Sequence, residues 1–165
     1  KMNKFTKLIS AFILFFFISN CAGYEPIFKS SNLKFVINNH KIIGDKKIGK
    51  QIFSKLKRIS DNNKDDMEVT AISLTIEVNK TKSATTKNSA GKILEYKIDL
   101  NTKVLLKEYL STDIILNQNF DLSSSYKVQD QFSETVKIEE KVIQNMTEKT
   151  YEDLLIKMSE NMLTQ

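Results

Sequence analysis

The chain has 165 residues, with one His, one Cys, no Trp, four Gly and one Pro, a length that suits one domain. One Cys excludes an intramolecular disulfide and a cysteine-rich zinc site, one His excludes a histidine metal cluster, and four Gly leave little room for a phosphate-cradling loop. The formal charge of +5 includes three lysines in the first seven residues; the other 22 Lys and Arg against 20 acids leave +2, too mild for a nucleic-acid binder by bulk charge.

Lys1, Lys4 and Lys7 precede an apolar run from Leu8 to Ile18 that only Ser10 interrupts. Crossing a bilayer takes about 20 apolar residues. This run is about half that length and fits the core of an export signal. Ile18-Ser19-Asn20-Cys21 follows and looks like a bacterial lipobox, with Asn20 larger than the usual Gly or Ala. Cys21 would carry a diacylglycerol on its sulfur and a further acyl chain on its freed amine. Each buried methylene contributes about 0.8 kcal/mol, and two acyl signals already anchor stably. Ala22 follows the Cys, and in bacterial lipoprotein sorting a residue other than Asp there goes with the outer membrane. The expected organisation is a signal peptide over 1–20, lipidated Cys21 with an extended tether over 21–32, and one domain over 33–165.

Leu33 to Ile37 is short and apolar and suits a first strand. Asn38-Asn39-His40 and Gly44-Asp45 read as turns. From Asp45 to Ser60 the period changes: Ile48, Ile52, Leu56 and Ile59 recur at three and four, between lysines, which predicts an amphipathic helix capped by Asp45. Asp61 to Asp66 is a polar break. Ile72, Leu74, Ile76 and Val78 then alternate with polar residues, as in a half-buried strand. Lys80 to Gly91 has no large apolar residue and reads as a long mobile loop. A second alternation runs through Leu94, Tyr96, Ile98, Leu100, Val104 and Leu106. A third, after a break at Ser111-Thr112-Asp113, runs through Ile114, Leu116, Phe120 and Leu122, with Ser124 and Tyr126 in phase. From Ser133 to Leu163 a helical stripe runs through Val142, Ile143, Met146, Thr150, Leu154, Leu155, Met158 and Met162. One-sided strands need one covering layer. The predicted fold is α+β, a two-layer sandwich with two helices packed on one face of a four-stranded, mostly antiparallel sheet.

Catalytic constellations are wanting. His40, in turn material, has no second His or thiolate with which to ligate a metal. Asp61, Asp65 and Asp66 lack the Gly and terminal Glu of a calcium loop. Glu139-Glu140 and Glu152-Asp153 fall on the polar face of the last helix, and Met146, Met158 and Met162 read as core or interface filler. No enzyme activity and no cofactor are expected.

Three stretches carry a resemblance: Cys21-Ala22-Gly23-Tyr24-Glu25-Pro26-Ile27-Phe28 at the tether, Ile48-Gly49-Lys50-Gln51-Ile52 followed by Leu56 in the first helix, and Ser125-Tyr126 ahead of a long helix containing Asp153-Leu154-Leu155-Ile156-Lys157-Met158. In order and spacing the chain resembles the LptE family of outer-membrane LPS-assembly lipoproteins. The resemblance implies a protein that plugs the lumen of a large β-barrel, LptD, helps that barrel assemble, and binds lipopolysaccharide, lipid-anchored at the periplasmic side of the outer membrane. Lipopolysaccharide head groups are anionic, and Lys80, Lys82, Lys87 and Lys92 stand in or beside the 80–91 segment with no acid among them. They are the candidate contact residues, acting as point charges rather than bidentate forks. The alternative is a generic outer-membrane lipoprotein that binds another envelope protein.

Overall fold

The computed structural model describes residues 33–64 and 69–162. The expected signal peptide, Cys21, the tether, and Asp65 and Asp66 lie outside the described residues. The chain order is β1 (Phe35–Gly44), α1 (Lys46–Asn62), β2 (Thr70–Lys87), β3 (Ile93–Glu108), β4 (Ile114–Lys127) and α2 (Phe132–Met162). The sheet follows the same order, β1-β2-β3-β4. β1 and β2 are parallel, while β2–β3 and β3–β4 are antiparallel. Parallel neighbours cannot be joined by a tight turn, and α1 makes the crossover between them.

Alternation decides which face is covered. Ile72, Leu74, Ile76 and Val78 of β2, Ile98, Leu100, Val104 and Leu106 of β3, and Leu116 and Phe120 of β4 are buried in one cluster. Ile48, Ile52 and Leu56 of α1 and Met146, Leu154 and Met158 of α2 complete that cluster, so both helices lie on the same face. α1 covers β1 and β2, and α2 covers β4 and the edge of β3. This is the predicted two-layer arrangement. No helix among the described residues is long and apolar enough to cross a membrane.

Two segments depart from the expected pattern. The first strand does not stop at Ile37, and Asn38-Asn39-His40 is not a turn: β1 continues to Gly44. A bulge between Ile37 and Asn39 shifts the register and interrupts the alternation. The Ile37 N–H donates to Ser60 Oγ at 2.9 Å instead. The Asn63 side chain donates to the Leu33 carbonyl at 2.6 Å, tying the end of α1 to the start of the sheet. His40 is exposed on this strand, its ring stacked on Phe53 with centroids 4.0 Å apart.

The second departure is larger. The Lys80–Gly91 segment is not a loop but mostly strand. β2 runs on to Lys87, pairing Lys80 with Leu100, Lys82 with Ile98 and Ala84 with Tyr96. From Asn79 to Lys87 every residue is exposed, so backbone pairing rather than burial defines this ribbon. The turn at its end is closed by Asn88, whose N–H donates to the Lys92 carbonyl and whose side-chain oxygen accepts from Ala90 and Lys92, with Gly91 at φ +78°.

Beneath the helices, the Thr102 side chain is fully buried and its hydroxyl finds no partner among the described residues. An unsatisfied buried hydroxyl costs more than an apolar group of the same shape. Thr102→Val is expected to raise stability by about 1 kcal/mol, read as a higher urea midpoint with an unchanged slope. A loss would show that the hydroxyl is bonded in solution.

Candidate functional site

The four lysines selected from the sequence divide into two kinds. Lys80 and Lys82 continue the core-facing phase of β2 past its last buried residue, Val78, and so reach toward the helices. Lys80 Nζ lies 3.0 Å from Asp45 Oδ2 at the start of α1. The other oxygen of Asp45 accepts the Lys47 and Ile48 N–H groups, which makes it the N-cap. Burial works against the Asp45 charge, but these backbone bonds and Lys80 outweigh it and hold its pKa below the ordinary 3.8. Lys87 and Lys92 make no ion pair among the described residues and flank the ribbon turn.

Lys82 belongs to a cluster that the sequence reading missed. Its ammonium is 2.5 Å from Glu139 Oε2 on α2 and 4.2 Å from the centre of the Tyr96 ring. The Tyr126 hydroxyl donates to the same Glu139 oxygen at 2.7 Å, and the Tyr96 and Tyr126 rings lie 5.8 Å apart. The ribbon is thereby fastened to the first turns of α2. Glu139 is therefore not a solvated residue on the polar face of the helix. It lies four residues before Ile143 and seven before Met146, in phase with the buried stripe, and that spacing was the available signal.

Burial alone would raise the Glu139 carboxyl, but Lys82 and Tyr126 hold it below its ordinary 4.5. Burial alone would lower Lys82, but Glu139 and Tyr126 hold it above 10.5. A depressed carboxyl stabilises above its unfolded pKa, and that stability is lost as pH falls through the folded value. A raised lysine stabilises below its unfolded pKa, and that stability is lost as pH rises through the folded value. The pair therefore stabilises the fold between the two ordinary values. Both groups are partly solvated, which limits the effect to about 1 kcal/mol. Glu139→Gln is expected to cost about that much at pH 7, and the cost should shrink progressively as pH falls below 4.5, measured by urea unfolding across that range. A difference that persists in acid would show that the charge is not its source.

Beside this cluster lies an open groove of about 430 Å³, whose lining includes Ile93, Tyr96, Val128 and Val136, the cations Lys82 and Lys92, and the carboxylates Asp130 and Glu139. Phe132 forms one wall and is 82% exposed. Lys82 is already paired with Glu139, so Lys92 is the cation that this partly apolar groove offers to an anionic group. Of the four candidate lysines, the structure brings Lys82 and Lys92 to this groove, commits Lys80 to Asp45, and leaves Lys87 on the ribbon.

The covered side of the sheet contrasts with its open side. There Asn79, Asn101 and Asp121 stand side by side across three strands. The Asn101 and Asn119 side-chain amides both donate to the Asp121 carboxylate.

No protein-family model matches the chain, and no curated protein sequence does. Solved structures do. The crystal structure of rare lipoprotein B from Shewanella oneidensis is 12% identical at a TM-score of 0.54, covering 77% of this chain and 98% of that one. The solution structure of an uncharacterized lipoprotein B from Nitrosomonas europaea is 16% identical at a TM-score of 0.54, covering 86% and 92%. The fold is one found in bacterial lipoproteins. At such identities the likeness is one of fold, and it spans nearly the whole of both of those chains.

Proposed function

We propose that the protein is a non-enzymatic, lipid-anchored component of the outer membrane, held on its periplasmic side by acyl chains on Cys21, that serves as plug and assembly factor of an LptD-like β-barrel. It contacts lipopolysaccharide during insertion through the ribbon lysines and the groove beside them. The observation that carries this reading is the pairing of Ile18-Ser19-Asn20-Cys21, at the end of an export-signal run, with a domain whose fold is found in bacterial lipoproteins. The polar open face supports it, because barrel lumens are polar and a plug needs a matching wall.

The test has two arms. Cells fed radiolabelled palmitate should label the wild-type chain and not Cys21→Ser. The chain should also co-purify with a large β-barrel from detergent-solubilised outer membranes. Labelling without a barrel would reduce the reading to a lipoprotein with another envelope partner, and no labelling would remove the anchor. For the ligand, Lys87→Glu with Lys92→Glu should lower lipopolysaccharide capture at least about tenfold while leaving the fold intact, as expected for loss of surface point charges. Unchanged capture would place the contact elsewhere.

A further inference from the structure

Among the described residues, the largest exposed apolar cluster lies at the end of the sheet opposite the ribbon. The β3–β4 turn presents Tyr109, Leu110 and Ile114 at 45%, 85% and 58% exposure. Solvent does not favour such side chains together at a convex tip. The turn is nevertheless firmly built: the Glu108 N–H donates to the Asp113 carbonyl at 2.9 Å, the Thr112 N–H donates to the Glu108 carbonyl at 3.1 Å, and the Ser111 hydroxyl donates to the Glu108 carboxylate. Thr112 adopts φ +65°, the one positive φ among the described residues other than glycine. A β-branched residue rarely takes that conformation. Leu110 points outward from this turn.

The tip also sits where the chain enters the domain. The Tyr109 N–H donates to the Ala71 carbonyl at 2.9 Å, and Thr70 beside it donates to the Lys34 carbonyl at 3.1 Å. The end of α1 holds the Leu33 carbonyl at the same place. Cys21 lies twelve residues before Leu33, which allows a reach of at most about 43 Å. An anchor at Cys21 therefore keeps this end of the domain within that distance of the leaflet that holds it.

We infer that the β3–β4 turn is a membrane-contacting tip, which seats Tyr109, Leu110 and Ile114 at the headgroup boundary of a phospholipid leaflet. The inference rests on the lipid-anchor reading for its nearness to the leaflet. Three convex side chains fall well short of the roughly 800 Å² per partner of a stable protein interface, but an aromatic and two aliphatic residues suit a bilayer boundary. Glu108 and Asp113 flank the tip, so apolar contact rather than charge holds it, and zwitterionic lipid suffices.

The chain has no Trp, so Leu110→Trp supplies a single reporter. The full chain carrying it is mixed with phosphatidylcholine vesicles containing bromine-labelled acyl chains. The reporter should lose emission by about twofold or more, whereas Asn88→Trp at the ribbon turn should not. Adding Leu110→Asp to an Ile114→Trp chain should abolish the quenching of that second reporter. The same variants with Cys21→Ser and a hexahistidine tag in place of residues 1–20, held on nickel-chelating lipid, test the tip whether or not acylation occurs. Flotation of the untagged chain reads the anchor, and quenching on nickel lipid reads the tip. Unquenched Trp on bound vesicles would overturn the inference, and so would a reporter shielded only by a co-purifying protein.

Discussion

Gly44→Ala is expected to cost about 3 kcal/mol, more than any single change at the candidate site. Gly44 ends β1 at φ +78°, and a Cβ there would lie 2.0 Å from the Val78 carbonyl oxygen. That oxygen is not free to retreat. It accepts the Asp45 N–H at 2.9 Å, and Asp45 is the residue that caps α1. The left-handed backbone costs an alanine about 1–2 kcal/mol, and forcing an atom into occupied space adds about 1–3 kcal/mol. Gly91→Ala separates the two effects, because Gly91 has the same φ of +78° but open space around its missing Cβ. It should show the backbone cost alone. Urea unfolding of both variants gives the measurement. Equal losses would mean that Val78 moves aside and that the junction between strand and helix is softer than its hydrogen bonds imply.

That junction also shows what the sequence could and could not disclose. Alternation located β2, β3 and β4, and a three-and-four spacing located both helices, because in each of them burial acts on side chains one at a time. It failed where backbone pairing continues without burial. Thr81, Thr85 and Thr86 suit a strand, but with both faces exposed no apolar period marks the ribbon. The bulge after Ile37 hid the rest of β1 in the opposite way, since one extra residue breaks the alternation that would have revealed it. The site was half legible for the same reason. Lys82 and Lys92 stood out as charges without acids nearby in sequence, yet the partner of Lys82 is Glu139, fifty-seven residues away. A one-dimensional pattern reports which residues face the core, not which charge waits across it. Phe132 shares the phase of Thr135, Glu139 and Met146 yet is exposed, because it opens α2 one turn ahead of the first buried residue, and phase alone does not report where cover ends.

Gly49→Ala is expected to reverse sign with its background. Gly49 is buried in α1 against the sheet, and a Cβ would meet Ile42 Cγ2 at 2.5 Å, while Val78 Cγ2 at 3.7 Å and Ile42 Cβ at 3.8 Å are ordinary contacts. In the wild-type chain the helix gains about 1 kcal/mol from alanine but loses about 1–3 kcal/mol to overpacking, a net loss of about 1 kcal/mol. Ile42→Ala removes the one obstructing methyl and keeps the Cβ at contact distance. In that background the overpacking is gone and the helix propensity remains, so Gly49→Ala should stabilise by up to about 1 kcal/mol. A double-mutant cycle in urea reads the coupling, expected at about 2 kcal/mol for side chains in direct contact. Simple additivity would show that the isoleucine turns away at no cost. The close seating of α1 on β1 would then owe its geometry to the bulge and the Ser60 bond rather than to the absence of a side chain at position 49.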